Sequence, residues 1–163
     1  MRLATVWMGW VMVAALAGCD AERVAKLEEG VSTEVQVRQQ FGEPASVTVA
    51  ADGSRMLEYP RQPEGTTNYA IQIGPDGKMS ALRQLLNPDN LARVKPGMGP
   101  LEVRALLGRP AVMRRFELKN EDLWEWRFKP GTQEPKVFGV TFSAGRVSAT
   151  AVTDDTRLTD PGR

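Results

Sequence analysis

The sequence predicts an α+β fold of two tandem modules, each a pair of short helices followed by an antiparallel sheet, with the helices packed on one face of that sheet. The first observation behind this is that the chain repeats itself. Val24 to Val31 lies over Leu91 to Met98 at an offset of 67 (97 − 30), apolar on apolar, basic on basic and Gly30 on Gly97. Val37-Arg38, Phe41-Gly42 and Pro44 then match Val103-Arg104, Leu107-Gly108 and Pro110 at an offset of 66 (108 − 42), so the first copy has one extra residue in its helix-capping segment. Leu57-Glu58-Tyr59 answers Trp124-Glu125-Trp126, and Ile71, Ile73, Gly77 and Met79 answer Val140, Phe142, Gly145 and Val147. Drifting offsets mark loop insertions between matched elements, and self-similarity of this kind fixes the unit of folding. The second observation is that each copy passes from apolar residues three or four apart to apolar residues two apart, the periods of helix and strand. The third is a set of turn signals between the alternating runs.

In the first module, residues 21–86, Val24 and Leu27 give a short helix its apolar side and Gly30 ends it. Thr33-Glu34-Val35-Gln36 has the form of a capping box opening a second helix. Val37 and Phe41 form its stripe, and Gly42 and Pro44 stop it. Val47 and Val49 alternate with polar residues, Asp52-Gly53 turns, Leu57 and Tyr59 form a second strand, residues 69–73 a third and residues 78–83 a fourth. In the second module, residues 87–153, Asn87-Pro88 starts a helix with Asn as cap and Pro at the first helical position. Gly99-Pro100 opens another, faced by Val103, Leu106 and Leu107 and closed by Gly108. Residues 112–118, 123–128, 136–142 and 146–152 read as strands, and 154–163 as a disordered tail. Joined edge to edge, the two sheets would make one longer curved surface.

Composition removes most chemistries. Lys and Arg total 21 against 20 Asp and Glu, so no field recruits nucleic acid. There is no histidine, the commonest general base and metal ligand. A single cysteine forbids an intrachain disulfide and a thiolate zinc site. The carboxylate pairs Glu28-Glu29, Glu121-Asp122 and Asp154-Asp155 fall in presumed turns or the tail, where solvent keeps both members ionised. No enzyme activity, cofactor or metal is expected.

Met1-Arg2 and an apolar run from Leu3 to Ala17 form an export signal, shorter than the about 20 residues that span a bilayer. The segment closes on Leu16-Ala17-Gly18-Cys19, which resembles the lipobox of bacterial lipoproteins. That resemblance implies a signal peptide over 1–18, a lipidated N-terminus at 19–20 with Cys19 carrying fatty acyl chains, and a membrane-tethered chain facing the periplasm. It favours the outer membrane, while Asp20 resembles an inner-membrane retention signal.

Gly97-Met98, Val103, Leu107-Gly108, Pro110, Trp124, Trp126, Val140, Phe142 and Gly145-Arg146-Val147 resemble the SmpA/OmlA (BamE-like) family of small envelope lipoproteins, and the first module is a degenerate copy of the same pattern. Tandem duplication is similar to the β-lactamase inhibitory protein fold. The resemblance implies an accessory protein that binds other proteins, among them the β-barrel assembly machinery, in outer-membrane protein assembly or envelope integrity. The alternative it implies is an inhibitor or scavenger that binds a periplasmic enzyme or peptide on a concave sheet.

Trp124, Trp126 and Phe128 share one side of their strand, which belongs to the core because large aromatics carry much of a small domain's buried area. The opposite register is then the expected partner face: Glu125, Arg127 and Thr141 in the second module, Glu58 and Gln72 in the first. Arg104, Arg109, Arg114 and Arg115 form a basic set suited to solvent, to lipid headgroups or to an acidic partner.

Overall fold

The computed structural model describes residues 20–156. The lipobox residues Leu16, Ala17 and Gly18, the expected lipid attachment at Cys19 and the tail 157–163 lie outside the described residues. Elements follow in the expected order: α1 (Asp20–Ala25), α2 (Glu34–Phe41), β1 (Ser46–Val49), β2 (Arg55–Pro60), β3 (Asn68–Ile73), β4 (Met79–Gln84), α3 (Pro88–Arg93), α4 (Pro100–Leu107), β5 (Val112–Phe116), β6 (Glu121–Phe128), β7 (Lys136–Ser143) and β8 (Arg146–Asp154). Local chemistry sets their ends. Thr33 and Gln36 form the capping box of α2, with Gln36 Oε1 accepting from the Thr33 amide at 2.8 Å. Asn87 Oδ1 accepts from the Asn90 amide at 2.9 Å above Pro88 in α3. Gly42 and Gly108 close α2 and α4 with φ/ψ of 81/−161° and 72/−162°, a region in which only glycine is comfortable.

Three strands differ from expectation, and β6 among them begins at Glu121, two residues before the expected start. β5 stops at Phe116, because a single 3-10 turn over Glu117–Lys119 and a left-handed Asn120 (φ 52°) reverse the chain earlier than the apolar pattern suggests. β8 runs on to Asp154, and Asp155 is buried, so the residues just after 153 belong to the fold.

The strands form two separate four-stranded antiparallel sheets, β1-β2-β3-β4 and β5-β6-β7-β8, with helices on one face of each. The expected single curved sheet is therefore corrected. The chain leaves β4 at Gln84 and enters α3 through the Asn87-Pro88 cap, so no ladder joins β4 to β5. In the first module Val37 and Phe41 cover Leu57, Tyr59, Tyr69, Ile71, Ile73 and Met79. In the second, Leu91, Val94, Val103 and Leu107 cover Trp126, Phe128, Phe138, Val140, Phe142 and Val147. The expected burial of the aromatic register holds for Trp126 and Phe128, while Trp124 is partly buried at the edge of the cluster.

The duplication extends to individual hydrogen bonds. Tyr59 Oη donates to the Gly42 carbonyl at 3.2 Å, and Trp126 Nε1 donates to the Gly108 carbonyl at 3.1 Å, so the Tyr-for-Trp exchange preserves the tie from sheet to helix cap. The Gly30 amide donates to Met79 O at 2.7 Å and the Met79 amide to Ser32 O at 2.7 Å; their counterparts are Gly97 to Val147 and Val147 to Met98, both at 2.8 Å. The brackets span 30 to 32 in one copy and 97 to 98 in the other, which locates the extra residue at the exposed Val31. Both sheets also carry a bulge at matched positions, Gln72/Ile73 and Thr141/Phe142.

Polar contacts join the modules. Asn68, buried at the start of β3, donates from Nδ2 to Leu107 O at 2.7 Å and Arg109 O at 2.9 Å, using carbonyls at the end of α4 that lack intrahelical partners. Gln62, in the β2–β3 loop, acts as a short strand on the end of β6. Its side-chain nitrogen donates to Arg127 O at 2.8 Å and its oxygen accepts from Arg127 N at 3.1 Å.

Candidate protein-binding site

The residues expected on the partner face fall on two sheets, not on one continuous surface. In the second module, strand register places Val112, Glu125, Gly139 and Ala151 in one row of the face away from the helices, and Arg114, Leu123, Thr141 and Ala149 in the next. Glu125 is half-buried and 3.6 Å from Arg114; Thr141 is half-buried and its carbonyl accepts from Ser148 Oγ at 3.1 Å. In the first module Gln72 and Glu58 share the corresponding face, both half-buried. Glu58 lies 3.8 Å from Arg104 of α4, so part of that face is taken up by the second module.

Arg127 is a correction. Alternation along β6 puts it beside Glu125 on the open face, yet it is 8% exposed. Its Nε is paired with the buried carboxylate of Asp155, and its Nη1 donates to Pro63 O and Glu64 O, each at 2.9 Å. The β2–β3 loop and Asp155, just after β8, close over it. Asp154 and Asp155 likewise part company: Asp154 is exposed and bonded to Lys136 at 2.7 Å, which lowers its pKa, whereas Asp155 points inward. Of the other carboxylate pairs, Glu29 accepts from the Leu82 amide at 2.8 Å and Asp122 from Arg115 at 2.9 Å.

An open apolar groove appears when the two copies are compared position by position. Glu34, Val47, Val49, Arg55, Leu57 and Ile73 occupy the places of Pro100, Met113, Arg115, Asp122, Trp124 and Phe142, as the strand registers and helix starts fix independently. In the first module Arg55 reaches from β2 to Glu34 at the start of α2, 2.6 Å from Nη2 and 2.7 Å from Nε, while Arg38 holds the other carboxylate oxygen at 2.8 Å. Burial by itself would raise the Glu34 pKa, but the hydrogen bonds and charges of Arg38 and Arg55 outweigh it and hold the carboxyl below the usual glutamate range. An ion-paired side chain thus bridges the space between helix and sheet.

In the second module Pro100 offers no carboxylate and Asp122 no cation, so the bridge is lost and Asp122 turns to Arg115 on the edge strand. What remains is a groove of about 340 Å³ lined by Pro100, Met113, Arg114, Arg115, Asp122, Trp124 and Phe142. Met113 is 60% exposed beside it, and Leu101, the residue after Pro100, is 83% exposed. Trp124 packs on Phe142 at 4.9 Å between ring centroids, which makes the floor aromatic. β5 is an edge strand, so its outer backbone groups lie next to an apolar slot. An extended segment added to β5 would place alternate side chains toward that slot. Alternation and matched motifs did not single out this site; the signal was in the positions where the copies disagree.

Among the described residues no group of three or more His, Cys, Asp or Glu side chains is placed to hold a metal ion, and no helix is long and apolar enough to cross a membrane. No protein-family model matches the chain, and no curated protein matches it. Solved structures similar to it include one described as the osmotically inducible lipoprotein OsmE, 20% identical, covering 48% of this chain and 90% of that one with a TM-score of 0.38. A second, described as a β-lactamase inhibitor protein from Streptococcus mutans, is 14% identical over 76% of this chain and 83% of its own, with a TM-score of 0.35. A third, the DUF4309 family protein YjgB from Bacillus subtilis, is 16% identical over 79% and 82%, with a TM-score of 0.31.

Proposed function

We propose that this chain is a lipid-anchored protein of the Gram-negative envelope that binds other proteins and performs no reaction of its own, acting in outer-membrane protein assembly or envelope integrity. The lipobox-like Leu16-Ala17-Gly18-Cys19 supports the anchor. The observation that carries protein binding is the α4–β5 groove, left open and apolar where the duplicate position is closed by Glu34 and Arg55. A part-exposed aromatic beside an exposed methionine, in a groove with a charged rim, is what protein interfaces use as anchor points. Glu125 and Thr141, on the other face of the same sheet, and Glu58 and Gln72 on the first sheet are secondary contact candidates; Arg127 contributes by holding the loop over β6.

Deleting the gene is expected to lower outer-membrane protein levels or raise sensitivity to detergent and vancomycin. A Met113→Glu copy, changed only at an exposed side chain, should fail to restore them while remaining folded by circular dichroism. Wild-type behaviour of the deletion on every readout, or full rescue by Met113→Glu, contradicts the proposal. The inhibitor reading, which places a periplasmic hydrolase on a concave sheet, is separated by affinity purification of the intact lipoprotein. Assembly-machinery subunits support the first reading and a single soluble hydrolase the second.

A further inference from the structure

We infer that the β2–β3 loop, residues 61–67, and α1 form the membrane-facing end of the domain, held flush against lipid headgroups. The inference rests on the reading that Cys19 is acylated. Consecutive Cα atoms are about 3.8 Å apart, so Asp20 follows an acylated Cys19 with no linker between them. Asp20 is the first residue of α1 and is not free to swing away. Its carboxylate lies 3.3 Å from Arg23 in the same helix and 3.5 Å from Arg61, and it accepts from Thr67 Oγ1 at 3.3 Å. Arg61 and Thr67 stand near the two ends of the β2–β3 loop, and the Arg61 guanidinium is itself seated over the Phe41 ring at 5.5 Å. The anchor point is thereby tied to both the loop and the core.

With its acyl chains in the hydrocarbon, the cysteine sulfur lies at the glycerol level. The polar layer of one leaflet is about 5–8 Å deep, from a total thickness of about 40–45 Å around a core of about 30 Å. Residue 20 therefore sits within or just above that layer, and the loop pinned to it must meet the headgroups. A shallow depression lined by Asp20, Arg23, Arg61, Gln62 and Glu64 opens on this end. Its acids and bases nearly balance, so the tether and not electrostatic attraction holds the surface down, and added salt leaves the orientation unchanged. The Asp52-Gly53 turn lies at the other end of β2, about 20 Å away along six residues of strand.

The test uses the intact acylated protein in phosphatidylcholine–phosphatidylglycerol vesicles. Cys19 is the chain's one cysteine and its sulfur is blocked by lipid, so Glu64→Cys or Ala51→Cys supplies a unique thiol for a fluorophore at an exposed site. Headgroup-nitroxide lipid is expected to quench the Glu64→Cys label at least threefold more strongly than the Ala51→Cys label, at low salt and at 1 M salt alike. Ten Gly/Ser residues inserted between Cys19 and Asp20, with a reach of about 17 Å, should abolish the difference. Equal or reversed quenching in the uninserted protein overturns the inference. Mass spectrometry of the N-terminal peptide, taken first, separates the two claims: a free Cys19 removes the lipoprotein reading itself, while acylated protein with equal quenching removes only the orientation.

Discussion

Replacing Arg127 with Met tests how the two modules are held together. The variant keeps an unbranched apolar stem in the same space but deletes a guanidinium that pairs with Asp155 and donates twice to the β2–β3 loop. It removes the guanidinium partner of a carboxylate that is 5% exposed and takes the Arg127 donor from two loop carbonyls. Removing one member of a buried pair costs about 3–5 kcal/mol, because the remaining charge loses its nearest counter-charge. Against a total stability of about 5–15 kcal/mol this is a large fraction. With a urea slope of about 2 kcal/mol per molar, a cost of about 4 kcal/mol moves the midpoint down by about 2 M. The double variant Arg127→Met, Asp155→Leu also removes the buried carboxylate and should recover at least half of that shift. Equilibrium urea unfolding followed by tryptophan fluorescence reads both. A midpoint within about 0.3 M of wild type for the single variant, or a double variant no more stable than the single one, refutes the assignment of Arg127 as a buried clamp.

Other outcomes follow from the duplicated geometry. Gly42→Ala and Gly108→Ala meet the same forbidden backbone region, at about 1–3 kcal/mol each, but only at Gly108 would the new Cβ press on a neighbour, 3.1 Å from Asn68 Nδ2 and 3.2 Å from Leu85 Cδ1. Gly108→Ala should therefore be the less stable by about 1–2 kcal/mol in thermal or urea unfolding, and the reverse order contradicts the inter-module contact through Asn68. Glu34→Gln should cost about 1 kcal/mol at pH 7, since the pairs it loses are part-exposed. The native Glu34 pKa lies below its unfolded value, so this contribution is complete above the ordinary glutamate pKa of about 4.3 and is lost as pH falls through the folded value. The gap between variant and wild type should thus close below about pH 4, and an equal gap at pH 3 and pH 7 contradicts it.

Much of the fold was legible because its signals are local. The Thr33–Gln36 box, the Asn87-Pro88 start, the glycine stops and the alternation of Leu57 with Tyr59 or Trp124 with Trp126 each act within a few residues and agree with one another. The repeat supplied what single elements could not, since Tyr59 and Trp126 make the same bond in both copies. Arg127 was misread because its partners lie 63 and 64 residues earlier and 28 later; period-2 alternation assigns a face but not what covers it. How the modules meet was hidden for a similar reason, as Asn68 and Gln62 bond to residues 39 and 65 positions away. The groove was legible in principle. Pro100 in place of Glu34 and Asp122 in place of Arg55 are visible in the aligned copies, but similarity draws attention to what matches, and this site lies in what does not.

The central claim, that a tethered chain binds a partner through the second module's groove, is tested most directly by photo-crosslinking in living cells. A photoreactive amino acid is placed at Met113 or at its duplicate position, Val47. An adduct to an envelope protein is expected from position 113, none from position 47, and loss of the adduct in Cys19→Ala. No adduct at 113, equal adducts at both positions, or an adduct that survives removal of the anchoring cysteine would contradict it.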